Sequence, residues 1–205
     1  MSRRGRFGKY GETKRIERLK RSRISQDPAY KKEDASYRGG SASKRKVPQD
    51  RQIRTRAAEP RDLEYIRSLS RRAFSRFGPY EEILAGWFDS GMTVTIMALK
   101  GEKPAGFVMM GLPESRPYPP GVTELIAVAV EHRARRLGIG DLLMRKAEKT
   151  AGELGIMSLV LFTALDNSAA RSLFTKNHFI PIGIRKGFYP RGQDAMMMER
   201  EILWP

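Results

Sequence analysis

The residues from Arg135 to Gly140, RRLGIG, combine the residue types that bind a phosphate group. Gly138 and Gly140 let the backbone come close to a ligand, where side chains would obstruct the approach. Arg135 and Arg136 add fixed positive charge beside the backbone. We interpret this turn as a cradle for a pyrophosphate group.

Two elements must position this cradle. Residues 125–130 before it are short, aliphatic and uninterrupted, which is typical of a buried central strand. Residues 141–148 after it have the spacing of an amphipathic helix. The first backbone N–H groups of a helix have no partner within the helix, so they attract an anion together with the helix dipole.

The cradle resembles the acetyl-CoA motif R/Q-x-x-G-x-G/A of the GNAT superfamily of N-acetyltransferases, which Arg135, Gly138 and Gly140 fit. A second resemblance is the pattern N-x-x-A-x-x-L-F-x-K-x-x-F at residues 167–179. His178 stands there where the family commonly has glycine, a departure that bears on how the helix ends.

The resemblance covers about residues 52–203 and implies an α/β (α+β) fold. It is expected to be the GNAT fold, with a mixed, mostly antiparallel central sheet that is splayed at its centre and flanked by helices. The sequence pattern predicts strands at residues 52–58, 92–99, 104–111, 125–130, 158–163, 180–188 and 195–202. It predicts helices that follow Pro60, span residues 80–88, and start near Asp141 and Asn167.

The resemblance implies acetyl-CoA as co-substrate. Main-chain groups of Ala129 and Val130 would pair with its pantetheine arm, and a backbone N–H near Val130 would meet the developing oxyanion. Asn167 would bind the same arm or order a water there, although an Asn at a helix start is first of all an N-cap. The residues expected to contact acetyl-CoA are Val128, Ala129, Val130, Arg135, Arg136, Leu137, Gly138, Ile139, Gly140, Asp141 and Asn167.

Acetyl transfer to an amine requires an unprotonated amine and a proton for the departing thiolate. Histone-acetylating members of the resembled family use a glutamate on the central strand to take the amine's proton, which assigns Glu124 as the base. Strand alternation would place Glu124 on one face with Ile126, Val128 and Val130. The alternative for Glu124 is an ordinary solvated or ion-paired carboxylate.

Tyr189 is the candidate acid. Residues 187–190, GFYP, and residues 194–198, DAMMM, resemble the Y-Y-P and D-A-x-x-M pattern of the RimI-like N-terminal protein acetyltransferases, although Phe188 and Gln193 depart from it. In that group a tyrosine at this place protonates the thiolate. The alternative for Tyr189 is a packed aromatic side chain on an edge strand.

The acceptor amine is expected between the first two helices and the proline-rich loop at residues 112–121. The candidate lining residues are Arg72, Phe77, Tyr80, Arg116 and Tyr118. Phe77 and Tyr80 have an equally good interpretation as side chains that close the core.

The composition excludes several kinds of site. The chain has 205 residues and no cysteine, which excludes disulfides, thiolate metal sites and a cysteine nucleophile. Only two histidines are present, without the spacing of a metal site, so no metal is expected. Because no apolar run reaches bilayer length and no secretory signal is evident, a cytoplasmic location is the simplest interpretation.

The net charge of +16 is unevenly distributed. Residues 1–57 contain 19 of the 39 basic residues and only 6 of the 23 acidic ones. Residues 1–50 have few aliphatic residues and no sustained period, so they are predicted to be a disordered basic tail in front of a single domain at residues 51–205. Such a tail can contact RNA or the ribosome through phosphates, or it can be a solubilising extension.

The predicted function is transfer of acetyl from acetyl-CoA to a primary amine by direct attack. A protein N-terminus or lysine is the leading acceptor, and a small-molecule amine is the main alternative. A non-catalytic acyl-CoA-binding module associated with nucleic acid is the third possibility.

Overall fold

The computed structural model describes residues 52–113 and 117–202. The strands are β1 (Ile53–Ala57), β2 (Thr93–Lys100), β3 (Lys103–Gly111), β4 (Val122–Val130), β5 (Ser158–Ala164), β6 (Ile180–Arg185) and β7 (Ala195–Glu201). The α-helices are α1 (Leu63–Phe74), α2 (Tyr80–Asp89), α3 (Ile139–Glu153) and α4 (Ser168–Lys176). The tail predicted at residues 1–50 lies outside the described residues, and so does Arg116.

The strands form one sheet in the order β1-β2-β3-β4-β5-β7-β6. β4 and β5 run parallel, and each other neighbouring pair is antiparallel. The predicted mixed, mostly antiparallel sheet is therefore confirmed.

The sheet opens between β4 and β5. These strands pair only where Val122 to Glu124 face Ser158 to Val160. β4 stays paired with β3 up to Val130, while β5 stays paired with β7 up to Ala164, so the two halves of the sheet diverge beyond Glu124. The predicted splay at the centre of the sheet is this gap.

The helices cover both faces of the sheet. The inward side of α3, including Leu143 and Ala147, packs on one face in a cluster that also holds Val108 and Phe174. On the other face α1 and α2 contribute a second cluster with the fully buried Phe107. Because aliphatic side chains are buried on both faces of the sheet, the sequences of the central strands are continuous apolar runs.

A bulge in β4 overturns one prediction. Met109 pairs with Ala127, but the next residue pairs with Leu125, so Ile126 is an extra residue in the strand. Val128 packs in the cluster under α3, whereas Ile126 packs in the cluster under α1 and α2. The prediction that Glu124, Ile126, Val128 and Val130 share one face is therefore wrong, because the bulge interrupts the two-residue period.

The unusual His178 does not prevent α4 from ending in the usual way. His178 adopts φ 62°, the left-handed conformation in which glycine is favoured. Its N–H donates to the Thr175 carbonyl, and the Phe179 N–H donates to the Phe174 carbonyl. These two bonds form a Schellman motif, so the helix end keeps its geometry at the cost of an unfavourable φ for histidine.

Candidate active site

The predicted cradle is a turn with left-handed backbone that leads into α3. Arg136 has φ 60° and Gly138 has φ 77°, and Gly138 caps the helix that begins at Ile139. A side chain at Gly138 would meet nothing within 4 Å, so glycine serves the backbone conformation there. A Cβ at Gly140 would lie 3.2 Å from Leu173 Cδ1, so the missing side chain at Gly140 lets α4 pack on α3.

The side chains of the cradle divide into exposed and tethered ones. Arg136 and Leu137 are exposed, and Arg135 Nε donates to the Val130 carbonyl over 3.4 Å. Asp141 accepts hydrogen bonds from Lys176 and Asn177 on the α4 side, and the Lys176 bond holds the pKa of Asp141 below its usual range. The carboxylate of Asp141 thus joins α3 to α4 and leaves the backbone N–H groups of the helix start to face an anion.

The gap beyond Glu124 exposes one edge of β4. Alternate N–H and C=O groups of a strand point to opposite sides, and β3 occupies one side of this strand. The predicted contact residues Val128, Ala129 and Val130 lie on the part of β4 that has no pairing with β5. Apart from the Val130 carbonyl, which accepts from Arg135, the backbone groups on the side away from β3 can pair with an extended ligand that carries amide groups.

Glu124 lies at the vertex of the gap, the point where β4 and β5 separate. It faces Val160 in the last β4–β5 pair, and its carboxylate Oε2 accepts a hydrogen bond of 2.7 Å from the Tyr118 hydroxyl. Burial raises the pKa of Glu124, although the Tyr118 bond and the charge of Arg185 act in the opposite direction. A carboxylate with a raised pKa is a better proton acceptor than an exposed one.

Tyr189 lies in the loop between β6 and β7, as the predicted strand bounds require, and this loop is longer than predicted because β6 ends at Arg185 and not at residue 188. Its ring stacks on Phe77 at 4.6 Å between centroids and meets Tyr80 edge-on at 6.2 Å. Its hydroxyl donates to the Phe162 carbonyl over 3.3 Å. Burial raises the pKa of Tyr189, and Tyr80 and Glu124 raise it further, so the phenol keeps its proton at neutral pH.

One cavity of about 140 Å³ brings the two candidates together. Glu124, Tyr189 and Asn167 all line it. The Asn167 side chain also accepts a hydrogen bond from the Ala170 N–H, which makes it the predicted N-cap of α4. Half of the remaining lining residues are aromatic, namely Phe74, Phe77, Tyr80, Trp87, Phe162, Phe174 and Phe188.

The predicted acceptor residues divide between the cavity and its surroundings. Phe77 and Tyr80 line the cavity, whereas Arg72 instead pairs with Glu131 after β4. Phe162, which was not predicted as a site residue, lies on β5 and stacks on Phe188 at 4.4 Å between centroids. Its aromatic type within an otherwise aliphatic strand is the signal that would have identified it.

Contacts between loops hold Tyr189 in place. The backbone N–H of Arg191 donates to the Phe77 carbonyl over 3.3 Å, and Gln193 Nε2 donates to the Arg76 carbonyl over 2.7 Å. Arg76 also pairs with Asp166, which lies just before α4. The α1–α2, β5–α4 and β6–β7 loops are thereby joined around the cavity.

Within residues 52–113 and 117–202, no group of three or more His, Asp or Glu side chains is arranged to hold a metal ion. No helix in this part of the chain has the length and apolar character needed to cross a membrane.

The chain matches a known protein family and several known proteins. The profile of the acetyltransferase (GNAT) family matches residues 62–179, more than half of the chain. A stretch of 81 residues, 40% of the chain, is 35% identical to GCN5-related N-acetyltransferase 7, chloroplastic, of Arabidopsis thaliana, but it spans only 26% of that protein.

One other relative and one solved structure match over most of their length. An N-alpha-acetyltransferase of Sulfurisphaera tokodaii is 25% identical over 155 residues, which cover 72% of this chain and 92% of that protein. The solved structure of yncA from Salmonella typhimurium with its cofactor acetyl-CoA superimposes with a TM-score of 0.64 at 15% identity, over 75% of this chain and 95% of that one. The similarity to yncA shows a shared fold.

Proposed function

Because the chain belongs to the acetyltransferase (GNAT) family and is therefore an acetyltransferase, we propose that it moves the acetyl group of acetyl-CoA to a primary amine, with a protein N-terminus as the leading acceptor. One observation carries the proposal: Glu124 and Tyr189 line a single cavity beside the gap in the sheet. A proton acceptor and a proton donor are thus available around one reaction centre.

The residues present fit acetyl-CoA. The start of α3 offers backbone N–H groups after Gly138, whose left-handed φ of 77° turns the chain into the helix, and Arg135 and Arg136 add positive charge. The unpaired edge of β4 offers amide groups to the pantetheine arm. The fold that the chain shares with the acetyl-CoA complex of yncA supports the same assignment.

The acceptor is inferred from the site and from the relatives. A buried carboxylate among tyrosine rings suits an ammonium group, because the carboxylate and the ring faces both attract a cation. The Sulfurisphaera tokodaii relative, which spans most of this chain, is an N-alpha-acetyltransferase. The site suits any ammonium group, and the activity of this relative favours a protein N-terminus over a lysine or a free small amine.

The chain's residues would move two protons. When bound, acetyl-CoA supplies the activated acetyl group as a thioester. Glu124 takes a proton from the acceptor ammonium, directly or through water, and frees the nitrogen lone pair. The backbone near Val130 offers an N–H to the acetyl oxygen, and Tyr189 gives its proton to the departing sulfur. Tyr189 regains a proton from the new amide nitrogen or from water.

The basic tail at residues 1–50 is a separate part of the proposal, because it lies outside the described residues. Its charge would hold the protein near RNA or ribosomes. Deletion of residues 1–50 should abolish a salt-sensitive RNA affinity that the full chain has. Equal binding by the truncated protein would refute this role.

Turnover of acetyl-CoA tests the main proposal. The purified full chain is assayed by release of free thiol with N-terminal peptides, lysine peptides blocked at the N-terminus, and small amines. Turnover on unblocked N-terminal peptides alone supports the proposal. Turnover on lysine peptides or small amines only would reassign the acceptor. Binding of acetyl-CoA without turnover on any amine would favour a non-catalytic acyl-CoA module.

A further inference from the structure

Tyr118 contacts the candidate base through a direct hydrogen bond. It belongs to the loop between β3 and β4, and its hydroxyl lies 2.7 Å from Oε2 of Glu124. Burial raises the pKa of Tyr118, and the charge and hydrogen bond of Glu124 raise it further. The phenol therefore stays protonated at neutral pH and remains a donor to the carboxylate.

Four ionisable groups face Glu124 from different elements. Tyr118 comes from the β3–β4 loop, Tyr80 from α2, Tyr189 from the β6–β7 loop and Arg185 from the end of β6. Within the described residues, Tyr118 is the one among them that makes a hydrogen bond to the carboxylate, and it engages Oε2. The other oxygen, Oε1, has no hydrogen-bond partner in this part of the chain.

We propose that Tyr118 is a positioning residue for acetyl transfer: its phenol holds Oε2 of Glu124 and leaves Oε1 to accept the proton of the acceptor amine. The inference rests on the proposed function, in which Glu124 is the base. Tyr118 is not among the residues that line the cavity with Glu124 and Tyr189, so it would act through Glu124.

The hydrogen bond also lowers the pH above which Glu124 is ionised and can accept a proton. A donor that binds the ionised carboxylate favours that form and lowers its pKa, against the effect of burial. Without the phenol, Glu124 would stay protonated up to a higher pH and the reaction would lose its base there. The acid limb of the pH–rate profile would then move to higher pH.

The test compares kcat/KM against pH for the full chain, Tyr118→Phe and Tyr80→Phe. Phenylalanine keeps the ring of Tyr118 and removes only the donor. We expect the acid limb to move up by about one pH unit, a tenfold change in ionisation, while the rate on the high-pH plateau stays within about threefold. Tyr80 faces the same carboxylate without a hydrogen bond, so Tyr80→Phe should leave the midpoint of that limb in place.

Carboxylate titration gives a second readout that needs no turnover. Proteins labelled with ¹³C at glutamate carboxyls are titrated by NMR, and Glu124→Gln identifies the signal of Glu124. The signal should titrate at higher pH in Tyr118→Phe than in the unaltered protein. If neither this titration nor the acid limb moves, the positioning role is overturned.

Glu124→Gln also separates this inference from the proposed function. If that variant keeps full turnover, Glu124 is not the base, and the role of Tyr118 in the reaction falls with it. If Glu124→Gln loses turnover but the titration in Tyr118→Phe does not move, the base assignment stands and the inference about Tyr118 alone is refuted.

Discussion

Gly106→Ala tests whether the exposed edge of β4 is the acetyl-CoA site. Gly106 lies in β3 opposite Val130, and a Cβ built there would lie 2.6 Å from the Ala129 carbonyl oxygen and 3.2 Å from Val130 Cα. The first distance is well below 3.0 Å, a separation under which Cβ atoms essentially never contact another heavy atom. Both of the contacted atoms belong to the backbone. The alanine therefore fits only if β3 and β4 move apart.

The strand pairing indicates that β4, and not β3, moves in Gly106→Ala. β2 holds β3 from the other side, whereas β4 near Val130 has no pairing with β5. The end of β4 should shift into the gap. Overpacking of this kind costs about 1–3 kcal/mol, which lowers Tm by about 2–12 °C in a domain of this size. Displacement of the contact strand should lower kcat/KM for acetyl-CoA by about 10- to 100-fold.

The same substitution at Gly86 is the matched control. Gly86 lies within α2, and a Cβ there would meet nothing within 4 Å. Alanine in a helix interior should stabilise the protein by about 0.5–1 kcal/mol and leave turnover unchanged. Thermal melts and steady-state kinetics measure both effects. If Gly106→Ala melts and turns over like the unaltered protein, the close approach of the strands is refuted. If it loses stability but keeps its kcat/KM, the edge of β4 is not the site.

Substitutions at four other positions test the site and the elements that support it. Tyr189→Phe should lower kcat by about 100-fold or more while the Kd for acetyl-CoA from calorimetry stays the same, and an unchanged kcat would remove Tyr189 from the reaction. Gly138→Glu should abolish acetyl-CoA binding in calorimetry while the far-UV circular dichroism is kept, because it puts a negative charge and a strained φ of 77° at the anion site. Tight binding by that variant would refute the cradle. His178→Gly should raise the free energy of unfolding by about 0.5–1 kcal/mol in urea titrations, since φ 62° suits glycine, and a loss of stability would contradict this reasoning. Glu124→Gln should raise Tm relative to the unaltered protein more at about pH 8 than at about pH 4.5, and equal differences at both pH values would contradict the burial of the charge. The sign follows because burial raises the pKa of Glu124 above the ordinary 4.5, so the contribution of this residue to stability is present below 4.5 and is lost as pH rises through the raised pKa.

Much of the fold could be predicted because its information is local. Aliphatic runs predicted the central strands, and Asn167 was predicted as the cap of α4, whose Ala170 N–H donates to its side chain. Boundaries moved by up to three residues where a pattern ended in a turn. β6, for example, ends at Arg185, and the following turn is closed by Asp194, which accepts a hydrogen bond from the Gly187 N–H.

The details of the site could not be predicted because they depend on contacts between distant segments. The bulge at Ile126 is a property of the β3–β4 register and leaves no mark in the sequence of β4. Tyr118 was expected to reach the acceptor side, but its bond to Glu124 depends on how a proline-rich loop without periodicity folds back. Gly140 was attributed to ligand approach, whereas its contact with Leu173 also requires glycine.

The vertex of the gap links the fold to the chemistry. Glu124 faces Val160 in the last β4–β5 pair, and the pairing of β4 with β3 begins at the next residue, Leu125. β4 and β5 separate immediately beyond Glu124, which opens both the cavity and the free edge of β4. The same position therefore buries the carboxylate enough to raise its pKa and lets a substrate reach it. A glutamate one residue later on β4 would lie among the core side chains that surround Leu125, and one residue earlier it would replace the fully buried Thr123. The end of the strand pairing is what makes position 124 suitable for a base.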